Sequence, residues 1–423
     1  MIGTIQKVME ELGIREYLIE EKRNETAELF FIRRKLDMRR IKDVTVWTVT
    51  VYRRFEKNGK PMIGNSVVLV SPGAGREEIR ASLSGAYAAA GNVANPAYEL
   101  YAGKREAPVP ETSDLAGLSL SEIAAAMSEA LFAGDVQTDA FLNSAELFVS
   151  RRTVRLVSSA GVDVGYRKTG CDGEFVVQCR EPNDVEQHFT FSYETLAADA
   201  LREKVENALR TVRDRAAASQ SPAAGVYDLV LSGDHVGTLM EYYLDRAEAS
   251  TVYAGYSKFR PGCDVQGETV TGEKLCVDVL PSAPYSPEGV PMSERELIGN
   301  GTLRFLHGNV RFCRYLDMEP TGSYRRVRLK NGTVPFDEMK KGCLYPVSFS
   351  DFQMDENSGY FGGEIRLAYL FTDGGVQILT GGSVSGSLIE KQTDLTFSTE
   401  TYRSARYEGP FAVKLHGVRV AGK

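Results

Sequence analysis

The sequence predicts an α+β protein, with a duplicated helix–strands–helix N-terminal region and a mainly β, barrel- or sandwich-like C-terminal domain. Three observations carry this reading. A segment of the first half recurs in the second quarter of the chain, amphipathic helices flank both copies, and glycine-punctuated strand sequence fills the remainder. At 423 residues the chain is also too long for one ordinary core of ~150 residues.

The repeat is read directly. Ala27 to Trp47 is AELFFIRRKLDMRRIKDVTVW, and Ala145 to Gly165 is AELFVSRRTVRLVSSAGVDVG. Ala-Glu-Leu-Phe, an Arg-Arg pair and a Val-x-Val recur without a gap at an offset of 118 (147 − 29). In each copy an apolar strand (Leu29 to Ile32, Leu147 to Val149) leads into a second (Leu36 to Ile41, Val154 to Val157). A turn at Lys42-Asp43 or Ala160-Gly161 then starts a third strand (Val44 to Tyr52, Val162 to Tyr166). Helices follow: Arg76 to Ala90 lines up Ile79, Leu83, Ala86 and Tyr87, and Tyr193 to Val212 lines up Leu196, Ala200, Val205 and Leu209. Others precede, over Ile2 to Leu12 and Leu118 to Leu131, the second with a Ser119-x-x-Glu122 capping box. Duplication places Leu29 over Leu147 and Val44 over Val162.

The expected division is 1–110 for the first α+β repeat, 111–218 for the second and 219–423 for the β-rich domain. Ala107 to Leu120 is a turn-rich connection, and the small residues and proline of Ala216 to Gly225 mark the main boundary. Beyond it lies one helix candidate, Ser232 to Ala247. Strand sequence follows at Leu275 to Val279, Gly301 to Phe305, Arg325 to Leu329, Gly363 to Phe371, Gly375 to Leu379, Ser383 to Ile389 and Phe411 to Val420.

Composition excludes several classes. Fifty basic against fifty-seven acidic residues give a net charge of −7, without the basic stripe of a nucleic-acid binder. Arg33-Arg34, Arg39-Arg40 and Arg325-Arg326 read as solvated strand faces. No apolar run reaches the ~18 residues of a membrane span, and Met1 to Glu11 lacks an apolar signal region, so a cytoplasmic protein is expected. Six cysteines without a Cys-x-x-Cys imply reduced thiols.

Catalytic motifs fail one by one. None of the four histidines (His188, His235, His307, His416) is spaced to share a metal ion with another, and His235 on the C-terminal helix reads as a surface or satisfied core residue. Gly381 to Ser387 (GGSVSGS) has Val384 where a nucleophile elbow needs Ser, and no Lys for a phosphate loop. Asp351 to Gly363 (DFQMDENSGYFGG) lacks the alternation of a calcium loop. Asn300-Gly-Thr and Asn331-Gly-Thr read as hairpin turns. A hydrolase is left only if Asp234, His235 and Glu241 converge with Asp351 or Glu364 on folding.

Over nearly the whole chain the order of landmarks resembles the TldD/PmbA family, the modulators of DNA gyrase. The resemblance runs through the Ala-Glu-Leu-Phe strand pairs, the helix before Ser221-Pro222, and the strand-helix from Val226 to Asp245. It continues in Glu288-Gly-Val-Pro291, Leu297-Ile-x-Asn-Gly301, Gly363-Glu-Ile-Arg-Leu-Ala-Tyr-Leu370 and Gly381-Gly-Ser-Val-Ser-Gly386. The ending Gly409-Pro-Phe-Ala-Val-x-Leu-x-Gly417-x-x-Val-x-Gly422 completes it. TldD-type members carry zinc on His-Glu-x-x-x-His with a Cys near the C-terminus. In this sequence Gly233 and Thr238 stand at the two histidine positions, Asp234 at the glutamate, and no cysteine follows Cys343. The resemblance therefore implies the metal-free PmbA (TldE) type. Such a chain needs no cofactor, is inactive alone, and serves as the zinc-less subunit of a cytoplasmic peptidase acting on unfolded peptides. Its implied partner is a zinc-bearing TldD-type subunit (heterodimer) or itself (homodimer), with no membrane and no direct nucleic acid. The alternative is a stand-alone homodimeric peptide-binding protein. Gly362, Gly363, Gly381 and Gly382 lack side chains that would hold off another backbone, and are the candidate peptide or partner contacts.

Overall fold

A computed structural model of the chain describes residues 1–422. The first repeat contributes α1 (Ile2–Glu11), β1 (Glu16–Ile32), β2 (Lys35–Lys57), β3 (Lys60–Val70), α2 (Arg76–Ala90) and the short β4 (Asn95–Pro96). The second contributes α3 (Leu120–Ala133), β5 (Ala140–Ser158), β6 (Asp163–Cys179), β7 (Val185–Tyr193) and α4 (Ala198–Ala217). Both repeats share one sheet, in the order β4-β3-β2-β1-β5-β6-β7. The join is the antiparallel β1–β5 ladder, where Ala27 faces Val149, Leu29 faces Leu147 and Phe31 faces Ala145. A strand whose residue i faces residue i + 118 at one point only is paired about a local two-fold axis. Here the axis passes between the two Ala-Glu-Leu-Phe motifs and carries β1 to β5, β2 to β6 and β3 to β7.

Strand alternation sends one side chain in two to the helix-covered face. Ile19, Trp47, Val49 and Val51 pack there against Ile5, Val8, Ile79 and Leu83 of α1 and α2. Phe31, Leu147, Val149 and Phe175 do the same against Ile123, Met127, Val205 and Leu209 of α3 and α4. The Ser119–Glu122 capping box is present, with Ser119 Oγ accepting from Glu122 N (3.2 Å) and Glu122 accepting from Ser119 N (2.8 Å).

The duplication holds as topology, but its residue-by-residue extension needs correction. The first repeat turns at Arg33-Arg34, with Arg33 at φ 56°, while Arg151-Arg152 lie inside β5. Val44 is therefore inside β2, and Val162 lies just before β6, after the turn at Ser159-Ala160. Lys42-Asp43 is not a turn. Lys42 bridges to Glu28 (2.7 Å) and Asp43 to Arg23 (2.8 Å) across the β1–β2 ladder, so cross-strand pairing keeps this charged dipeptide extended. Arg33 and Arg34 are likewise turn residues, the first stacked on the Phe141 ring at 3.3 Å and the second paired with Asp135 at 3.2 Å. The helix expected from Tyr193 begins at Ala198, because Tyr193 closes β7 and stacks on Phe191.

After α4, β8 (Gly225–Ser232) leads into α5 (Asp234–Arg246) and α6 (Ala249–Tyr253). Next come β9 (Val277–Leu280), β10 (Arg295–Gly299), β11 (Thr302–Leu303), α7 (Val310–Tyr315), β12 (Arg326–Leu329) and α8 (Phe336–Met339). They are followed by β13 (Leu344–Met354), β14 (Tyr360–Thr372), β15 (Gly375–Leu379), β16 (Ser383–Ser387) and α9 (Leu388–Lys391). The chain ends in β17 (Thr396–Phe397), β18 (Thr401–Arg403), β19 (Tyr407–Pro410) and β20 (Ala412–Ala421). Hydrogen bonding closes β8, β20, β16, β14 and β13 into a ring, with β13 and β8 parallel. A second sheet, β11-β10-β9-β12-β19-β18, packs with α5 over the barrel. Leu229, Leu239, Val279, Phe361, Tyr407 and Leu415 share that core.

Asn300 and Gly301, at φ 52° and 81°, form the expected tight turn between β10 and β11. Asn331-Gly332 makes no hairpin. The Asn331 amide instead donates to Thr399 O (3.0 Å) and Thr401 Oγ1 (2.7 Å), tying two distant loops. Helix α4 and the barrel are joined by Tyr369, whose hydroxyl donates to Asp214 at 2.6 Å. On the face of the N-terminal sheet opposite the helices, Tyr285 packs on Val154, Leu156 and Val164 and donates to Glu106 at 2.8 Å.

Candidate functional site

Strand β8 runs out of the barrel and turns at Gly233 into α5. Gly233 sits at φ 61°, ψ −131°, a conformation that a residue with a Cβ adopts only with strain. Its N–H donates to Phe411 O (2.8 Å) and its carbonyl accepts from Val236 N (3.1 Å), so the corner is held on both sides. Asp234 opens the helix, exposed, and accepts from the Tyr402 hydroxyl at 3.1 Å. Thr238, one turn on, returns its hydroxyl to Asp234 O at 3.1 Å.

Tyr193 from β7 and Lys204 from α4 belong to the same electrostatic neighbourhood. Burial, with Cys171 and Asp234 adding, pushes the Tyr193 phenol up to about 12. Burial raises Tyr402 as well, helped by Asp234. Burial lowers the Lys204 ammonium, and Asp234 opposes that shift. At the corner one carboxylate and one phenol, Asp234 of α5 and Tyr402 of β18, are in direct contact, and the Asp234 charge is felt by Tyr193 of β7 and Lys204 of α4. These are hydrogen-bonding groups suited to an extended backbone.

His235, read from the sequence as a surface or satisfied core residue, is half-buried and only partly satisfied. Its ring packs edge-on against Phe349 (4.9 Å) and Phe352 (5.1 Å), and its Nδ1 is buried without a partner. It is a half-buried side chain braced by two rings, with burial pressing its pKa down. His307 is a satisfied core histidine, with Nε2 against Leu244 O (3.0 Å) and Nδ1 accepting from Tyr324 N (3.3 Å). His188 pairs with Glu174 and His416 with Asp228, far apart in the chain. Nor do the other acids meet at the corner: Glu241 pairs with Arg406, Glu364 accepts from Ser350 and Arg366, and Asp351 from Gln353.

Zinc requires three or four nitrogen, sulfur or carboxylate donors around one point. Among the described residues no three His, Cys, Asp or Glu side chains converge in this way. At the corner Gly233 offers no donor, and its positive φ disfavours the histidine that would. Thr238 has turned its hydroxyl back into the helix. Cys343, the last thiol of the chain, is buried against Met339 O at 3.4 Å. The residues present do not fit the metal.

The C-terminal half, residues 224–422, matches the family model described as the PmbA/TldA metallopeptidase C-terminal domain. That C-terminal domain belongs to the TldD/PmbA family. Over its whole length the chain is similar in fold to TldE from Thermococcus kodakarensis, at 17% identity and a TM-score of 0.77, covering 99% of this chain and 100% of that one. A modulator of DNA gyrase from Thermotoga maritima MSB8 gives 16% identity and a TM-score of 0.76, covering 99% of both chains. A second such modulator, from Bacteroides thetaiotaomicron VPI-5482, gives 14% identity and a TM-score of 0.77, covering 100% of this chain and 99% of that one. No curated protein matches the chain.

In this TldD/PmbA fold the four candidate glycines lie on the barrel. A Cβ on Gly363 would stand 2.6 Å from Asp351 O and 2.9 Å from the Phe349 ring, and one on Gly362 would stand 3.1 Å from Val384 O. Gly381 and Gly382 have φ of 86° and 75°, and a Cβ on Gly382 would collide with Ala421 O. At Gly362, Gly363 and Gly382 the space of the missing side chain is taken by neighbouring segments of the same chain. Sequence reasoning did not find Tyr193, Lys204, Tyr402, Phe349 or Phe352. Tyr402 reaches Asp234, and Phe349 and Phe352 reach His235, from distant elements, and nothing local distinguishes them.

Proposed function

We propose that this TldD/PmbA member is the zinc-less subunit of a cytoplasmic peptidase assembly acting on unfolded peptides, with the metal chemistry supplied by a zinc-bearing subunit of the same fold. The observation that carries the reading is the Gly233 corner. At the place where family resemblance puts a metal-binding helix, the backbone itself is unsuited to the first ligand. The remaining groups, Asp234, Tyr193, Tyr402 and Lys204, are then available to hydrogen-bond an extended peptide in the chamber wall rather than to bind an ion. Peptide capture without proteolysis, by a homodimer, is the alternative the same residues support. Reconstitution separates the two. The first reading expects cleavage of an unstructured peptide only when a His-Glu-x-x-x-His subunit is added, and copurification with it. Peptide binding that persists with no such partner, and no stimulation of cleavage by this chain, would favour the alternative.

A further inference from the structure

We infer that the open face of the N-terminal sheet carries a subsite for a lysine or arginine side chain of an extended peptide, in a groove beside Phe30. The groove has a volume of about 250 Å³ and lies where β2, β1, β5 and β6 run side by side. Phe30, Ile32 and Met38 supply its apolar lining, and Asp37, Glu146 and Glu174 its carboxylates. The register brings them together. Met38, Phe30, Glu146 and Glu174 are successive ladder partners and stand in one row. Their neighbours Phe31, Ala145 and Phe175 point into the helix-covered core, so alternation turns this row to the opposite face. That face is open to solvent, with Ile32 58% and Met38 42% exposed.

The charges select the occupant. Elsewhere in this sheet carboxylates are matched across strands: Glu28 with Arg40 and Lys42, Glu16 with Arg54, Asp163 with Arg155. Glu146 and Glu174 instead face each other directly, and like charges opposed across a ladder destabilise it. Glu174 has the His188 imidazole at 3.1 Å, while Glu146 and Asp37 contact no cation among the described residues. Of the neighbouring cations, Arg40 and Lys42 are held by Glu28 at 2.7 Å, and Lys35 sits at the turn opposite Ile32 without a carboxylate partner. A cationic side chain entering the groove would meet both opposed carboxylates and lay its methylene stem along Phe30 and Met38. The Phe30 ring already takes the Arg40 guanidinium at 5.0 Å on its face. The groove is smaller than the ~300–1,000 Å³ of a cleft that encloses a small molecule, which suits one side chain of a longer chain. Naming a peptide as the source of that side chain rests on the reading proposed above, although the groove shares no residue with the Gly233 corner.

The test is fluorescence anisotropy of the full chain with three labelled Gly-Ser peptides that differ only in a central arginine, norleucine or glutamate. The arginine peptide is expected to bind about 10-fold tighter than the norleucine peptide at low salt, and the advantage to shrink at high salt. Glu146→Gln/Glu174→Gln is expected to bring the arginine peptide to the level of the norleucine peptide, and Glu146→Lys/Glu174→Lys to favour the glutamate peptide. The Gln pair is also expected to raise the urea midpoint of the free chain, because it removes the opposed charges. Circular dichroism checks the folding of each variant, and the Gln pair, which is nearly isosteric, carries the test if the Lys pair does not fold. Equal affinity for the three peptides, tighter binding of the norleucine peptide, an arginine preference that survives the Gln pair, or a lowered urea midpoint overturns the subsite and leaves the peptide reading standing. If none of the three peptides binds, the subsite and the peptide reading fall together.

Discussion

Leu29 and Leu147 face each other across the β1–β5 ladder, and each is the same residue of its own repeat. The seven-stranded sheet is thus built around one self-similar contact, with a helix pair covering each half. Leu147 is fully buried. Leu147→Ala is expected to cost about 2–5 kcal/mol in urea unfolding, and Leu29→Ala, at a partly exposed position, distinctly less. Equal costs would mean that the two repeats are packed alike, against the observed asymmetry.

The Gly233 corner yields a second expectation. Gly233→Ala should destabilise the chain by about 1–2 kcal/mol through its positive φ. Installing the family ligands as Gly233→His/Asp234→Glu/Thr238→His should therefore lower stability without creating a stoichiometric zinc site. Tight zinc binding by that triple variant, measured by metal analysis after dialysis, would show that the backbone is not the obstacle.

Gly363 and Gly382 are set by their own chain. Gly363→Val and Gly382→Val are each expected to cost more than about 2 kcal/mol, because a Cβ meets Asp351 O in one and Ala421 O in the other. Thermal unfolding is the measurement. A variant of either kind that keeps wild-type stability would leave room there for a second backbone.

Acid should destabilise the chain in part through its buried imidazoles. Burial lowers His307 from 6.5 to about 4, and His235 moves in the same direction. His307 stays neutral in the folded chain over this range while the unfolded chain takes up a proton. Its contribution is fully present above pH 6.5 and is lost as the pH falls toward 4, by roughly 3 kcal/mol, and His235 adds in the same direction. Unfolding of His307→Gln should therefore vary less steeply with pH across that window than the wild type. His235→Ala should also lose about 2 kcal/mol at neutral pH, since it empties the space between Phe349 and Phe352; no loss would show that the ring does not brace the two phenylalanines.

Much of the architecture was legible because it is written in local periodicity. The Ala-Glu-Leu-Phe repeat, the stripes of α2 and α4, and the Ser119–Glu122 box all appear where alternation and capping put them. Strand β13 did not. Its pairing with β14 shifts register near Ser348 and Phe349, and this breaks the alternation that would have revealed Leu344–Met354. Lys42-Asp43 looked like a turn because both residues are charged, whereas Glu28 and Arg23 on the neighbouring strand hold them extended. At the candidate site, spacing located Gly233, Asp234 and Thr238 on their helix. The sign of the Gly233 φ and the approach of Tyr402 and Lys204 depend on the closed barrel and on α4, which no local window contains.

The central claim is that this TldD/PmbA chain lends its fold to a peptidase but not a metal. Zinc content and hydrolysis of an unstructured peptide, measured on the same purified sample, test it most directly. The account predicts well under one zinc per chain and no cleavage until a zinc-bearing subunit is added. Cleavage by the chain alone that a chelator abolishes and zinc restores would contradict it.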